Sequence, residues 1–369
     1  MNAPAPREVR APHTIRELRV RAVKVPMVEP HRTASGTITE SPLVLTDVLT
    51  DEGVAGHSYV FCYTPLALAP VALLVKGLEA LVAGQPLAPL DVEALLARRF
   101  RLLGTQGLTG IAMAAIDMAL WDALARAHGL PLVRLLGGIP KPIPAYGAVG
   151  YDGVDGSARV TEGWVARGFK GVKAKIGYAD WRGDREVVRA MRRAGGEDIA
   201  LMVDYNQSLT PVDAIERARR LDEEGLTWIE EPTLAHDFAG HARVAQAIGT
   251  PVQAGENWWG PPDMRKAIDA GACDYVMPDV MKIGGVTGWL RAAALAEAHG
   301  IRMSNHLFPE VSTHLLCATP TAHWLEYAQW FDPIIAQPIA IVDGCAVPGE
   351  RPGSGVEWNE DAVGRYLVA

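Results

Sequence analysis

The sequence predicts a β/α barrel joined to a smaller α+β domain, and three observations predict it. Asp204, Glu230 and Glu256 stand one per segment at an identical separation of 26 residues, each directly after a short apolar run. From Pro142 onward, strand-like runs recur near residues 142, 172, 201, 227, 252, 275, 301 and 323. That spacing leaves room for the crossover helix which parallel strands require. Before Pro142 the order differs: strands come first and helices follow, as in an α+β unit.

The elements follow in order. Ile15 to Val25 and Leu43 to Thr50 alternate apolar and polar residues as antiparallel strands do, and Asp51-Glu52-Gly53 supplies a turn into a third strand near His57 to Phe61. Helical periodicity marks Pro65 to Val82, Asp91 to Phe100 and the strongly apolar Leu108 to His128, which Gly129 and Pro131 close. We divide the chain into an α+β domain at 1–135, a barrel at 136–335 and a segment at 336–369 that returns to the first domain. That last segment has Gly344, Pro348, Pro352 and Gly353 and no crossover beat.

With 369 residues, 49% of them hydrophobic and 21% charged, the chain is an ordinary globular protein too large for a lone barrel. A net charge of −8 argues against nucleic-acid or anionic-membrane partners. No apolar stretch runs uninterrupted for a membrane span, and Met1 to Arg10 lacks a signal-peptide core, so a cytoplasmic location is expected. Cys62, Cys273, Cys317 and Cys345 lie far apart without zinc spacing, and reduced thiols are expected.

In a β/α barrel the C-terminal ends of the strands carry the chemistry. Three carboxylates delivered there converge on one point, and all-oxygen ligation favours Mg²⁺. Within Val172-Lys173-Ala174-Lys175-Ile176 the two lysines share a face, and helices covering the outer face make the inward direction the expected one. Asp279 and His306 follow the sixth and seventh strands, a pairing in which the carboxylate fixes the imidazole tautomer. Glu326 ends the eighth strand in an apolar setting, where a protonated carboxyl is expected. Alternation lets only one of Glu230 and Glu231 face inward, and the 26-residue beat chooses Glu230, leaving Glu231 a structural role or one that supports the ligands. His236, His241, His314 and His323 are read as surface or packing residues; Trp258 and Trp259 either wall the cleft or pack in the core.

A cation flanked by a lysine and a histidine suits proton removal next to a carboxylate. Lys173 would pair with that carboxylate. Lys175 serves as a base only if its pKa falls by about 3 units from about 10.4. A base on each face of a planar intermediate gives racemisation or epimerisation.

The segments Val172 to Tyr178, Val203 to Leu209, Trp228 to Thr233, Gly255 to Trp258, Met281 to Trp289 and Ala318 to Glu326 closely resemble the mandelate racemase group of the enolase superfamily. The likeness runs from about Arg19 to the C-terminus. It implies a modified TIM barrel, (β/α)₇β, with an N-terminal α+β capping domain, usually assembled as a homo-octamer. It also implies Mg²⁺ on Asp204, Glu230 and Glu256, Lys175 and His306 as opposed bases, and Asp279 paired with His306. By the same resemblance Lys173 and Glu326 hold the substrate carboxylate and Asn206 assists at the substrate hydroxyl.

Some positions depart from that pattern. The lid loop, Val28 through Thr39, carries His31, Arg32 and Ser35 where the family has apolar residues, with Ile38 remaining apolar. Ala148 replaces a serine and Ala328 a pocket leucine, whereas Phe61, Tyr63 and Leu307 keep the aromatic-pocket character. The expected activity is racemisation of a small 2-hydroxy acid, mandelate or a close aryl relative. Dehydration of an acid sugar by the same machinery is the alternative. A muconate-type cycloisomerase fits less well because Asp279 stands where that group has a lysine, and a hydrolase would need a missing His-x-His pattern. A non-catalytic metal-binding protein would have no need for Lys175 and His306.

Overall fold

Dense β-branched residues on either side of Asp51-Glu52-Gly53 form the first sheet in the computed structural model, which describes residues 13–33 and 36–368. Strand β1 (Ile15–Thr33) pairs antiparallel with β2 (Gly36–Thr50), and β2 with β3 (Ala55–Phe61). The segment expected as a lid loop is instead the tip of the β1–β2 hairpin, where His31 faces Ile38 and Arg32 faces Thr37. Thr37, Ile38 and Thr39 are β-branched, which favours continued strand over loop. Ser35 lies outside the described residues.

Helices α1 (Pro65–Val82), α2 (Pro89–Arg99) and α3 (Gly107–Ala127) follow. Helix α3 is apolar nearly all round because it is buried nearly all round, between the sheet, α1, α2 and a barrel helix. Gly56 lets β3 approach it, since a Cβ there would meet Ala119 O at 2.2 Å. By length and composition α1 and α3 are each apolar enough to cross a membrane. In the fold α3 is core, and α1 buries Leu68, Val71, Val75 and Leu78 while Leu66 and Leu73 stay exposed.

After the short α4 (Leu132–Leu135) the barrel strands are β4 (Ile143–Val149), β5 (Gly171–Lys175), β6 (Ala200–Asp204), β7 (Leu226–Glu230), β8 (Val252–Ala254), β9 (Tyr275–Val276), β10 (Arg302–Met303) and β11 (Leu325–Tyr327). The connecting helices are α5 (Gly153–Ala166), α6 (Trp181–Gly195), α7 (Pro211–Arg219), α8 (Phe238–Ala247), α9 (Pro261–Ala270), α10 (Gly285–Ala298) and α11 (Pro309–Cys317). Strands β4 to β10 pair in parallel in chain order, and β11 pairs with β4. A parallel bridge between Met303 and Ala322 closes the ring. Tyr146, Met202 and Trp228 fill the interior below the rim, so the barrel is a packed core.

No eighth helix follows β11. The chain passes through the hairpin β12 (Ile341–Val342) and β13 (Cys345–Ala346), with β13 antiparallel to β4, and ends in α12 (Glu360–Tyr366). Helix α12 was not anticipated; Asn359 caps it by accepting from Ala362 N at 3.2 Å. This segment meets the first sheet, where Leu367 bridges Val23 and Trp358 Nε1 donates to Asp47 Oδ1 at 2.6 Å. Asp47 is fully buried and also accepts from Arg19, Arg21 and His57. These partners outweigh burial and hold its carboxyl at about 2.

Candidate active site

Register puts the rim residues side by side. Lys175 on β5 is level with Asp204 on β6, and Asp204 with Glu230 on β7. Glu256 lies two residues beyond β8, after a turn at Gly255. That glycine has φ 144°, and a Cβ there would meet Met277 N at 2.9 Å, so only glycine carries the chain round here. Carboxylate oxygens of Asp204, Glu230 and Glu256 lie within 4.8 Å of one another, all buried. Glu256 Oε2 is buried and faces His306 Nε2 at 3.2 Å. A cradle of three buried, converging carboxylates fits a hard divalent cation such as Mg²⁺.

Both lysines of β5 point inward. Lys173 pairs with Glu230, with Glu326 at 2.8 Å and with Asp204 at 3.9 Å; Lys175 pairs with Asp204. On the other side of the ring, Asp279 bridges His306 and its Oδ2 lies 2.7 Å from His306 Nδ1. The backbone N–H groups of Met281 and Lys282 donate to Asp279 Oδ1. His306 therefore presents Nε2 to the cradle, 3.2 Å from Glu256 and 3.8 Å from Glu326. Strands β5 and β10 are second and seventh of the eight, so the amine and the imidazole enter from opposite sides.

Three expectations need correction. Glu326 is ionised: burial pushes its pKa up, but Lys173, His306 and Lys175 bring it down to about 2. Its surroundings hold cations as well as the apolar residues seen along the strand. Lys175 is not neutral here, because burial lowers its pKa but Asp204 raises it further, above the ordinary value. Burial likewise lowers the pKa of His306, and Glu256, Glu326 and Asp279 raise it further. The third concerns Glu231, whose φ of 35° breaks the alternation just past the end of β7. Its buried carboxylate takes a hydrogen bond from Asn257 Nδ2 at 2.7 Å, and burial together with Glu256 and Asp204 pushes its pKa well up. Both glutamates thus serve the rim.

Asn206 donates through its backbone N–H and its Nδ2 to Asp204, at 2.6 and 3.1 Å. Leu307 is buried with φ 48°, and its N–H donates to Glu326 Oε2 at 3.1 Å. Phe61 lies behind the cleft, buried against Tyr63, Trp330 and Phe331, while Tyr63 keeps 36% exposure. Ile38 is half-buried on the hairpin tip.

Sequence reasoning gave no role to Lys282, Asn257 or Trp330, and placed His31 only on the lid. Lys282 Nζ bonds Asn257 Oδ1 at 2.6 Å and lies 4.4 Å from the centre of the Tyr63 ring. A lysine three residues past Asp279 in an otherwise apolar stretch was the available signal. His31 packs against Trp330 with the ring centres 4.6 Å apart and the planes tilted, and burial plus the charges of Lys175 and Lys173 push its pKa down to about 3. His241 and His314 are packing residues, with His314 Nδ1 accepting from Val133 N at 3.2 Å, and His236 is exposed. Trp258 is core.

Two family descriptions match the chain: the mandelate racemase / muconate lactonizing enzyme N-terminal domain over residues 15–137, and the enolase C-terminal domain-like family over 157–362. An enolase from Bradyrhizobium, solved with magnesium and mandelic acid, is 45% identical with a TM-score of 0.94, covering 98% of this chain and 100% of that one. The 3,6-anhydro-alpha-L-galactonate cycloisomerase of Streptomyces coelicolor is 30% identical over 90% of this chain and 93% of its own length. The L-talarate/galactarate dehydratase of Salmonella typhimurium is 30% identical over 88% of this chain and 82% of its own. With both domains matched and the strand-end acids in place, the chain belongs to the enolase superfamily.

Proposed function

We infer that this protein is an enzyme that removes the α-proton of a 2-hydroxy carboxylic acid and, with a base on each face, returns it from the other side. The observation that carries this reading is the opposition of Lys175 and His306 across the acid cradle. Asp204, Glu230 and Glu256 would hold Mg²⁺, which supplies positive charge against the charge that develops on the substrate carboxylate. The magnesium-bound relatives and the three converging buried carboxylates support that cofactor.

Lys173, paired with Glu326, is the cation placed to bind the substrate carboxylate. Lys175 becomes a base once it gives up both its pairing with Asp204 and its proton. His306 is oriented by Asp279 through Nδ1, leaving Nε2 to take or deliver the proton. The mandelic-acid-bound relative and the aromatic residues Phe61 and Tyr63 support an aryl hydroxy acid as substrate.

A second reading, dehydration of an acid sugar, is favoured by the polar His31 on the hairpin tip and by the acid-sugar relatives. There His306 or Lys175 would protonate a departing β-hydroxyl in place of the α-carbon. The test is a panel of mono- and polyhydroxy acids in D₂O with Mg²⁺, following loss of optical rotation, α-proton exchange and keto-acid formation together. Exchange with racemisation supports the first reading and keto-acid release the second. No exchange with any acid refutes both.

A further inference from the structure

The three acids of the cradle are not held alike. Asp204 and Glu230 are the last residues of their strands, with a ladder on both sides, whereas Glu256 stands on the turn past the end of β8. Glu230 is also held from inside the barrel, where Trp228 Nε1 donates to its Oε2 at 3.0 Å. The aim of Glu256 has to come from side chains.

Asn257 supplies it. Its Nδ2 donates to Glu256 Oε1 at 3.1 Å and to Glu231 Oε2 at 2.7 Å, and its Oδ1 accepts from Lys282 Nζ at 2.6 Å. An amide has donors at one end and an acceptor at the other, so turning it over would set its oxygen against two carboxylates and its NH₂ group against an ammonium. Lys282 thus locks the amide the way Glu256 needs it.

Lys282 differs from the other lysines of the rim. It is only 7% exposed, yet its ammonium makes no ion pair among the described residues. Its one side-chain hydrogen bond is to Asn257, and the Tyr63 ring covers it with the ring centre 4.4 Å away. A buried lysine placed for charge alone would sit against a carboxylate, as Lys173 and Lys175 do. The backbone of Lys282 is pinned as well: its N–H donates to Asp279 Oδ1 at 3.1 Å, and its carbonyl accepts from Gly260 N at 3.1 Å. The stem is rooted between the partner of His306 and the turn that carries Glu256.

We propose that Lys282 is a positioning residue for the metal site, acting through the Asn257 amide to hold Glu256 in the tight geometry a small cation demands, and so setting which divalent ion the cradle selects. The proposal rests on the inferred Mg²⁺ site. Mg²⁺ takes a compact, near-ideal octahedron, whereas Ca²⁺ accepts longer and less regular ligand sets. Loosening Glu256 therefore weakens the smaller ion more.

The experiment is calorimetric titration of Mg²⁺ and of Ca²⁺ into the metal-stripped protein, reading the ratio of the two Kd values. Losing a positive charge beside the cradle changes both affinities alike and cancels in that ratio, but losing the position of Glu256 does not. Lys282→Met should shift the ratio toward Ca²⁺ by about tenfold, the smaller end of what removing a partner of a metal ligand does. Lys282→Arg, which can still donate to Asn257 Oδ1, should keep most of the wild-type ratio. Asn257→Ala should shift it at least as far as Lys282→Met, and the double variant should go no further than Asn257→Ala alone. An unchanged ratio in Lys282→Met, or shifts that add in full in the double variant, would overturn the proposal. Should Lys282→Met not fold, a shifted ratio in Asn257→Ala supports the proposal and an unchanged one overturns it. Wild-type protein that binds neither ion would overturn the Mg²⁺ site itself, an outcome distinct from a ratio that fails to move.

Discussion

The rim of this barrel has two walls built by different rules. On β6, β7 and β8 the acids arrive at equal intervals from consecutive strands, Asp204 and Glu230 in register and Glu256 from the turn just past β8. The wall across β4 and β11 is assembled from a hairpin tip, two alanines, a helix face and the strand that lacks its helix. The first wall is charged, buried and full of mutual pairings, so any change there alters the chemistry. The second is hollow and partly open, so a change there alters what fits. Repetition has fixed the reaction machinery, and irregularity has been left to choose the substrate.

The largest effect should come from the regular wall. Chelating the divalent ion, or Glu256→Gln, should lower α-proton exchange by about a thousandfold or more, the loss of several kcal/mol of charge stabilisation. An unchanged rate after chelation would remove the metal from the reaction. Next, His306→Asn should cost about 10² to 10⁴ in exchange of one enantiomer of a 2-hydroxy acid, while Lys175 continues to exchange the other. Equal losses for both enantiomers would show that the two groups are not separate bases.

On the irregular wall, His31→Val should leave the reaction type alone and shift the preference between polyhydroxy and aryl acids by about tenfold, read as a ratio of kcat/KM values. A uniform fall for all acids would mean that the hairpin tip belongs with the chemistry after all.

The smallest effect lies beneath both walls. Glu310 on α11 is buried, hydrogen-bonded to Tyr59 at 2.8 Å, and its pKa is pushed by burial from 4.5 to about 7. A carboxyl raised in the folded state contributes stability below about pH 4.5 that is lost as pH rises through 7. The buried Asp117, also raised to about 7, acts in the same direction. Glu310→Gln should therefore reduce, without abolishing, the drop in melting temperature between pH 5 and pH 8. An identical drop in both proteins would show that Glu310 does not titrate there.

The regular wall was legible in the chain because strand ends impose a period, and a period survives without coordinates. Asp204, Glu230 and Glu256 met as expected, and the inward direction of Lys173 and Lys175 followed from alternation. The direction of Glu231 escaped because alternation stops where the strand does, and a φ of 35° re-aims the side chain. Glu326 misled because its chain neighbours are apolar while its spatial neighbours are Lys173, on the second barrel strand, and His306, just past the seventh. Of the hollow beside β11, His31, Ala148 and Ala328 showed in the chain as departures from the family pattern, but the hollow itself did not. Its walls come from residues 30 to 330, and no interval along the chain relates them.

The C-terminal segment has a consequence for how the protein is made. Val368 N donates to Ala22 O at 2.9 Å, Leu367 bridges Val23, and Trp358 reaches the buried Asp47, so the outer side of β1 is covered by residues translated more than 300 positions later. During synthesis the first sheet emerges early with that flank bare, and it stays bare until residues 358–368 have followed the whole barrel out of the ribosome. Nascent chains stalled inside the barrel should hold an incomplete first domain, exposed to chaperones and proteases until that segment arrives.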